Sequence, residues 1–327
     1  MQDVCLFAHF DKDDRVDDYV LRYLKILKEL NFSIIFISTS RLHRTDIARL
    51  QAVCDDVMLR ENTGLDFASW SAGFAKHASA IGGRLLLAND SVYGPIGSLG
   101  AALARLTSKP ADFYGMVESI DVAPHLQSWF LLFEPWVVRH PTFKSILAQP
   151  FSAMSKRQII ENGEVVLSRL LVGAGFRYEA LYLISREGLI ARHYPINPTH
   201  LLWRELLLDA GVPFLKTELL RKNPLHLEKE DAILQLVQPM DESVCRLIRL
   251  HLARTADTGA PITPHKNAVN DWILKQRYAM LREGYRLSHE KRTALEIWNF
   301  VKFELFIVTL RVCRALYLLL RNRSNQL

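Results

Sequence analysis

Leu85–Pro95 reads LLLANDSVYGP, an apolar run that stops abruptly at an amide, a carboxylate and a hydroxyl. A continuous apolar run is the pattern of a strand covered on both faces, and in an open α/β sheet the carboxyl end of such a strand faces the ligand crevice. Working outward, Arg84–Ala88 (RLLLA) and the β-branched run Ser33–Ser38 (SIIFIS) are two such strands, and Val4–Phe10 is a third. Helical periodicity marks Val16–Leu30, Ile47–Val53 and Phe67–Ala80, with a short strand at Asp56–Leu59. Strands alternating with helices predict an α/β fold built on a parallel sheet. The loops after Phe10, Leu59 and Ala88 are therefore the places to look for a site.

Beyond Pro110 the pattern changes. Asp112–Val117 and Trp129–Glu134 read as strands, and Gln158–Gly175 as a helix. The stretch Thr255–Pro264 (TADTGAPITP) holds two Pro and one Gly in ten residues, the composition of a linker. It divides the chain into residues 1–255 and a helical, basic extension over 256–327.

The chain has 327 residues, 49% of them hydrophobic and 23% charged, which excludes the disordered and low-complexity classes. Its net charge of +6 is unevenly spread. From His265 onward twelve Lys/Arg meet five Asp/Glu, a net of +7, which leaves residues 1–264 with 29 against 30, a net of −1. A nucleic-acid binder carries its cations over the folded surface, so this distribution argues against that class. Cys5, Cys54, Cys245 and Cys313 form no CxxC pair, which fits a reducing compartment rather than a zinc cluster or a disulfide scaffold. The N-terminal MQDVCLFAHFDKDD has no basic stretch leading into an apolar one, so a cytoplasmic location is expected.

Three segments can carry chemistry. In Arg60–Phe67 (RENTGLDF) a guanidinium, an amide and two carboxylates surround Gly64. Gly64 permits a positive φ or a close approach to a ligand, and Asp66 stands either as a helix N-cap or as a ligand contact. Asn89 and Asp90 either form an Asx turn or present a carboxylate to a divalent cation that carries a diphosphate. Glu164, in Asn162-Gly163-Glu164, is either a general base or a first-turn acid favoured by the helix dipole. His125, His193 and His200 lack the HxxxH or HxH spacing of a metal site. No GxSxG, GxxxxGK[ST] or GxGxxG run occurs, which removes support for serine hydrolase, P-loop and Rossmann dinucleotide readings.

The order of RENTGLDFASWSAGF, LLLANDSVYGP, HLQSWFLLF, NGEVVLSRLLVGAGF and NPTHLLWRELLLDAGVPFLKTELLRKNP resembles the rhamnan synthesis F family over Val4 to Pro224. That resemblance implies a GT-A-like glycosyltransferase of bacterial cell-surface glycans, with rhamnose as the sugar. It implies a nucleotide-diphospho-sugar donor, a lipid-linked or polysaccharide acceptor and a divalent cation, Mg²⁺ or Mn²⁺. It would place Asp90, with Asn89, at the metal motif, Glu164 at the catalytic base, and Arg60, Asn62, Gly64 and Asp66 around the nucleotide. His125 and Gln127 would meet sugar or acceptor and Lys216 phosphate; otherwise the first two satisfy backbone groups and Lys216 is surface charge. Ala88-Asn89-Asp90 departs from DxD, and no Asp follows Glu164. The rival reading is a non-catalytic module that binds a nucleotide-sugar or glycan and recruits a partner through its C-terminal helix.

On a wheel of 100° per residue, Asn299, Glu304, Arg311, Arg314 and Arg321 fall within about 140° and the remaining face is nearly all apolar. Arg311 and Arg314 would each cost roughly 2.5–3.5 kcal/mol at a bilayer centre, so an interfacial helix on the inner face of the cell membrane is expected rather than a span. The alternative is a helix packed on the protein's own core or on a second subunit.

Overall fold

The computed structural model describes residues 2–186, 197–225, 230–256 and 268–324. Most of the expected linker Thr255–Pro264, the histidine His193 and the side chains of Arg314 and Arg321 lie outside the described residues.

Ten strands are present among the described residues: β1 Asp3–His9, β2 Phe32–Ser38, β3 Asp56–Leu59, β4 Leu85–Asn89, β5 Val92–Tyr93, β6 Phe113–Ser119, β7 His125–Leu126, β8 Phe130–Phe133, β9 Tyr178–Tyr182 and β10 Leu215–Lys216. Helices α1 Asp18–Glu29, α2 Arg44–Gln51, α3 Leu65–His77 and α4 Leu99–Thr107 join the early strands. The main sheet runs β3-β2-β1-β4-β8-β6-β7, with β9 pairing β6. The first four strands are parallel, as expected. β8 then runs antiparallel to both β4 and β6, so the sheet is mixed rather than wholly parallel. This is a mixed α/β plan with a helical C-terminal extension.

The apolar runs are continuous because both faces of the sheet are covered. In β1, Cys5 and Phe7 enter one core while Val4, Leu6 and Ala8 enter the other. β2 and β4 divide in the same way, Ile34 and Phe36 against Ile35 and Ile37, and Leu86 and Ala88 against Leu85 and Leu87. Each buried side chain of this size contributes about 1.5–3 kcal/mol over exposure. The chain leaves β1 outward to β2 and β3 and returns to β4 on the other side. The switch point of strand order thus lies between β1 and β4, where a crevice opens at their carboxyl ends.

The two final helices, Ala268–His289 and Thr293–Ser324, form a hairpin. Leu281 and Phe303 from it join the larger core, and Arg282 Nε pairs with Glu205 Oε1 at 2.9 Å.

Candidate active site

A cavity of about 610 Å³ occupies the switch point. Its walls come from the loop after β1, the end of β4, the start of α3, the helical run Lys156–Glu164, the loop before β8, and the segment from β10 to Arg221.

Strand register fixes what β1 and β4 deliver. Ala8 pairs with Asn89, so His9 and Asp90 emerge side by side on one face, and His9 Nε2 lies 3.8 Å from Asp90 Oδ2. Asn89 points to the opposite face and donates from Nδ2 to Asp66 Oδ2 at 2.7 Å. Its Oδ1 accepts from the Ser91 hydroxyl at 2.6 Å and the Ser91 N–H at 3.1 Å. The Asx turn and the site contact are therefore both made. Asp66 is not the cap of α3: Gly64 holds that position at φ +70°, and Asp66 turns inward to the cavity.

Asp90 Oδ2 accepts from the N–H of Phe10 at 3.2 Å, and its backbone carbonyl accepts from Tyr19 at 3.1 Å. Burial, reinforced by the charge of Asp66, pushes the Asp90 carboxyl well above the ordinary carboxylate range. Burial also raises Asp66, against the pull of Asn89 and Lys216. Burial lowers His9 to about 4. The floor of the cavity thus crowds two carboxyl groups whose charged form is disfavoured, a condition that a bound cation relieves.

Glu164 approaches from another element. Ser155 opens a helix at Lys156 with a full capping box, two residues earlier than the sequence pattern indicates. The helical run continues through a π-turn, Ile160–Val165, into Val166–Gly173. Glu164 therefore sits deep in a helical run rather than in its first turn, on the wide turn that re-aims a side chain, a frequent feature of functional sites. Gly163 is in place because a Cβ there would meet the Phe67 ring at 3.0 Å. Glu164 Oε1 accepts from the Ser128 N–H at 2.8 Å and the Ser128 hydroxyl at 3.1 Å.

Lys216 reaches the same cavity from β10, which pairs with β5 directly beyond Asp90. Its Nζ donates to Ser91 Oγ at 3.3 Å and lies 5.8 Å from the Trp129 ring centre. Burial lowers the ammonium from its ordinary value, opposed by Glu164, Asp66 and Glu218. Lys216 is therefore a half-buried cation of the cavity wall rather than free surface charge.

The structure brings Asn62, Asp66, Asn89, Asp90, Glu164 and Lys216 together in one cavity lining, and places Arg60, Gly64, His125 and Gln127 outside it. Arg60 donates to Ser69, Thr63 and Ser152. A Cβ on Gly64 would meet the Phe151 backbone at 2.7 Å, so its close approach is to protein. His125 Nδ1 bonds the Ala123 carbonyl oxygen at 2.7 Å, and Gln127 joins Asn197 and Trp129. His125 thus satisfies a backbone group, whereas the Gln127 amide bonds two side chains.

Sequence reasoning missed a second acidic wall. Asp11, Asp17 and His251 present ligand atoms within 4.8 Å of one another. Six and 234 positions apart in sequence, they offer no readable spacing. Arg254 Nη2 already bonds Asp11 Oδ2 and Asp17 Oδ2, both at 2.5 Å, and Arg254 Nη1 bonds Asp13 Oδ2 at 2.7 Å. A guanidinium thus supplies the positive charge in that cluster. Asp66 and Asp90 line the same cavity and offer hard oxygen donors, the ligand type a divalent cation takes.

Comparison with known proteins adds a family model described as rhamnan synthesis protein F, which matches residues 34–304. The chain is 28% identical over 253 residues to a protein of Vibrio anguillarum described as virulence protein VirA, covering 68% of this chain and 80% of that one. Among solved structures, similarity extends to the glycosyltransferase GlyE of Streptococcus pneumoniae TIGR4, at 12% identity and a TM-score of 0.39, covering 77% of this chain and 63% of that one. It extends also to residues 1–349 of S. aureus TarS, at 12% identity and a TM-score of 0.37, covering 95% and 91%.

Proposed function

The chain belongs to the rhamnan synthesis protein F family, and from that premise we propose that this glycosyltransferase of the nucleotide-diphospho-sugar type moves rhamnose from dTDP-rhamnose, with inversion, to a glycan acceptor. The product belongs to a cell-surface polysaccharide or lipopolysaccharide O-antigen, built at the inner face of the cell membrane on a lipid-linked acceptor.

The observation that carries this reading is the convergence of Asp66, Asp90, Glu164 and Lys216 on a single cavity of about 610 Å³, within the size range of small-molecule sites. Ser128 holds Glu164 through Oε1, so Oε2 accepts the proton of the acceptor hydroxyl as that oxygen bonds to the anomeric carbon. The bond from the anomeric carbon to the diphosphate breaks in the same step. Lys216 faces the negative charge that gathers on the leaving diphosphate. Asp90, with Asp66, would hold a divalent cation, which supplies further neutralisation of that charge when bound.

Two measurements test the proposal. The protein should release dTDP from dTDP-rhamnose when a glycan acceptor is present, and Glu164→Gln should lower that rate by about 10²–10⁴-fold with little change in donor affinity. Donor binding without any dTDP release would instead identify a non-catalytic binding module.

A further inference from the structure

The last helix has apolar residues on two sides. Phe303 enters the core, with Glu296 and Asn299 buried beside it, and Asn299 Nδ2 donates to the Met280 carbonyl oxygen at 2.9 Å across the hairpin. A second apolar row faces outward. Trp298, Val301, Leu305, Val308 and Val312 are 57%, 39%, 61%, 51% and 52% exposed. Their spacing of three and four residues sets them in one stripe, about 21 Å long at 1.5 Å per residue.

Single exposed apolar residues are ordinary, but a continuous stripe marks a contact surface. The charge beside it selects the occupant. Lys302 and Arg311 flank the stripe and are exposed, whereas of the two acidic residues between 293 and 313, Glu296 is buried and Glu304 only part-exposed. Lys302 Nζ lies over the Trp298 ring at 5.6 Å, an aromatic and a cation placed together as at a lipid headgroup boundary. Among the described residues no helix is long and apolar enough to cross a membrane.

We propose that the stripe from Trp298 to Val312, with Lys302 and Arg311, docks in the plane of an anionic lipid surface. The site reading above puts the acceptor at a membrane. The present inference goes further and names the surface that holds the enzyme there and the lipid charge it selects.

Cosedimentation of the full chain with vesicles tests it. The protein should pellet with vesicles containing phosphatidylglycerol and stay in solution with pure phosphatidylcholine, and added salt should release it. Leu305→Glu combined with Val308→Glu should lower binding to anionic vesicles by about tenfold or more. Lys302→Gln with Arg311→Gln should remove the preference for anionic lipid. Equal binding to both vesicle types by the intact protein, which requires no variant to fold, would overturn the proposal. So would a lipid-free dimer that the Leu305→Glu, Val308→Glu chain converts to monomer, the signature of a second copy. dTDP release with a soluble acceptor present, as the sugar passes to that acceptor, should be unaffected in both variants. Vesicle binding without any such release would sink the transferase reading and leave the lipid surface standing.

Discussion

Asp90 is the residue at which stability and activity oppose each other. The unfolded chain gives up this carboxyl proton near pH 4, whereas the buried side chain holds it to higher pH. Across that window the folded protein keeps a proton the unfolded chain has lost, so stability falls as pH rises. Asp90→Asn should therefore raise the melting temperature of the ligand-free protein at neutral pH while lowering transfer. The gain should vanish below about pH 4 and amount to roughly 2–4 °C for each kcal/mol released, read by calorimetry across pH. Loss of stability in this variant at neutral pH would show that the carboxylate is held by partners stronger than the Phe10 amide.

At the scale of elements, the turn into α3 decides whether one wall of the cavity forms. Gly64 combines a left-handed φ of +70° with contact between its would-be Cβ and both Ala68 and the Phe151 backbone. Gly64→Ala should cost about 1–3 kcal/mol in urea unfolding, more than the few tenths typical of an exposed loop. Parallel strands and their helices were legible in the sequence because the pattern there is local: SIIFIS and RLLLA carry their own signal. β5, β7 and β10 were not, since strands of two residues take their conformation from distant partners, as Leu215 and Lys216 do from Tyr93 and Val92. The same distinction applies to the site. Asp66, Asn89, Asp90 and Glu164 stand beside glycines or at strand ends and could be singled out. Gln127, by contrast, donates to Asn197, seventy residues along the chain, a contact that only the assembled chain defines.

For the whole molecule, Arg254 is the tie between the helix Glu242–Thr255 and the loop after β1. Burial alone would raise Asp11, but the bonds from Arg254 hold its carboxyl below the usual range. Stability from that depression is fully present above about pH 4 and is lost as pH falls through the lowered value. Arg254→Met should cost about 2–4 kcal/mol at neutral pH by leaving Asp11 and Asp17 without their counter-charge. The deficit relative to the parent should shrink in acid, as measured by urea titration at several pH values.

The cavity also has a consequence for synthesis on the ribosome. Its lining runs from His9 to His251, with Lys216 delivered by a strand that reaches back more than a hundred residues to pair beside Asp90. A nascent chain can assemble β1 to β4 and bury their apolar faces long before Lys216 has been translated. Completion of the cavity is thereby postponed until most of the polypeptide exists, and an interrupted translation product ending before β10 would lack Lys216 and part of the larger core.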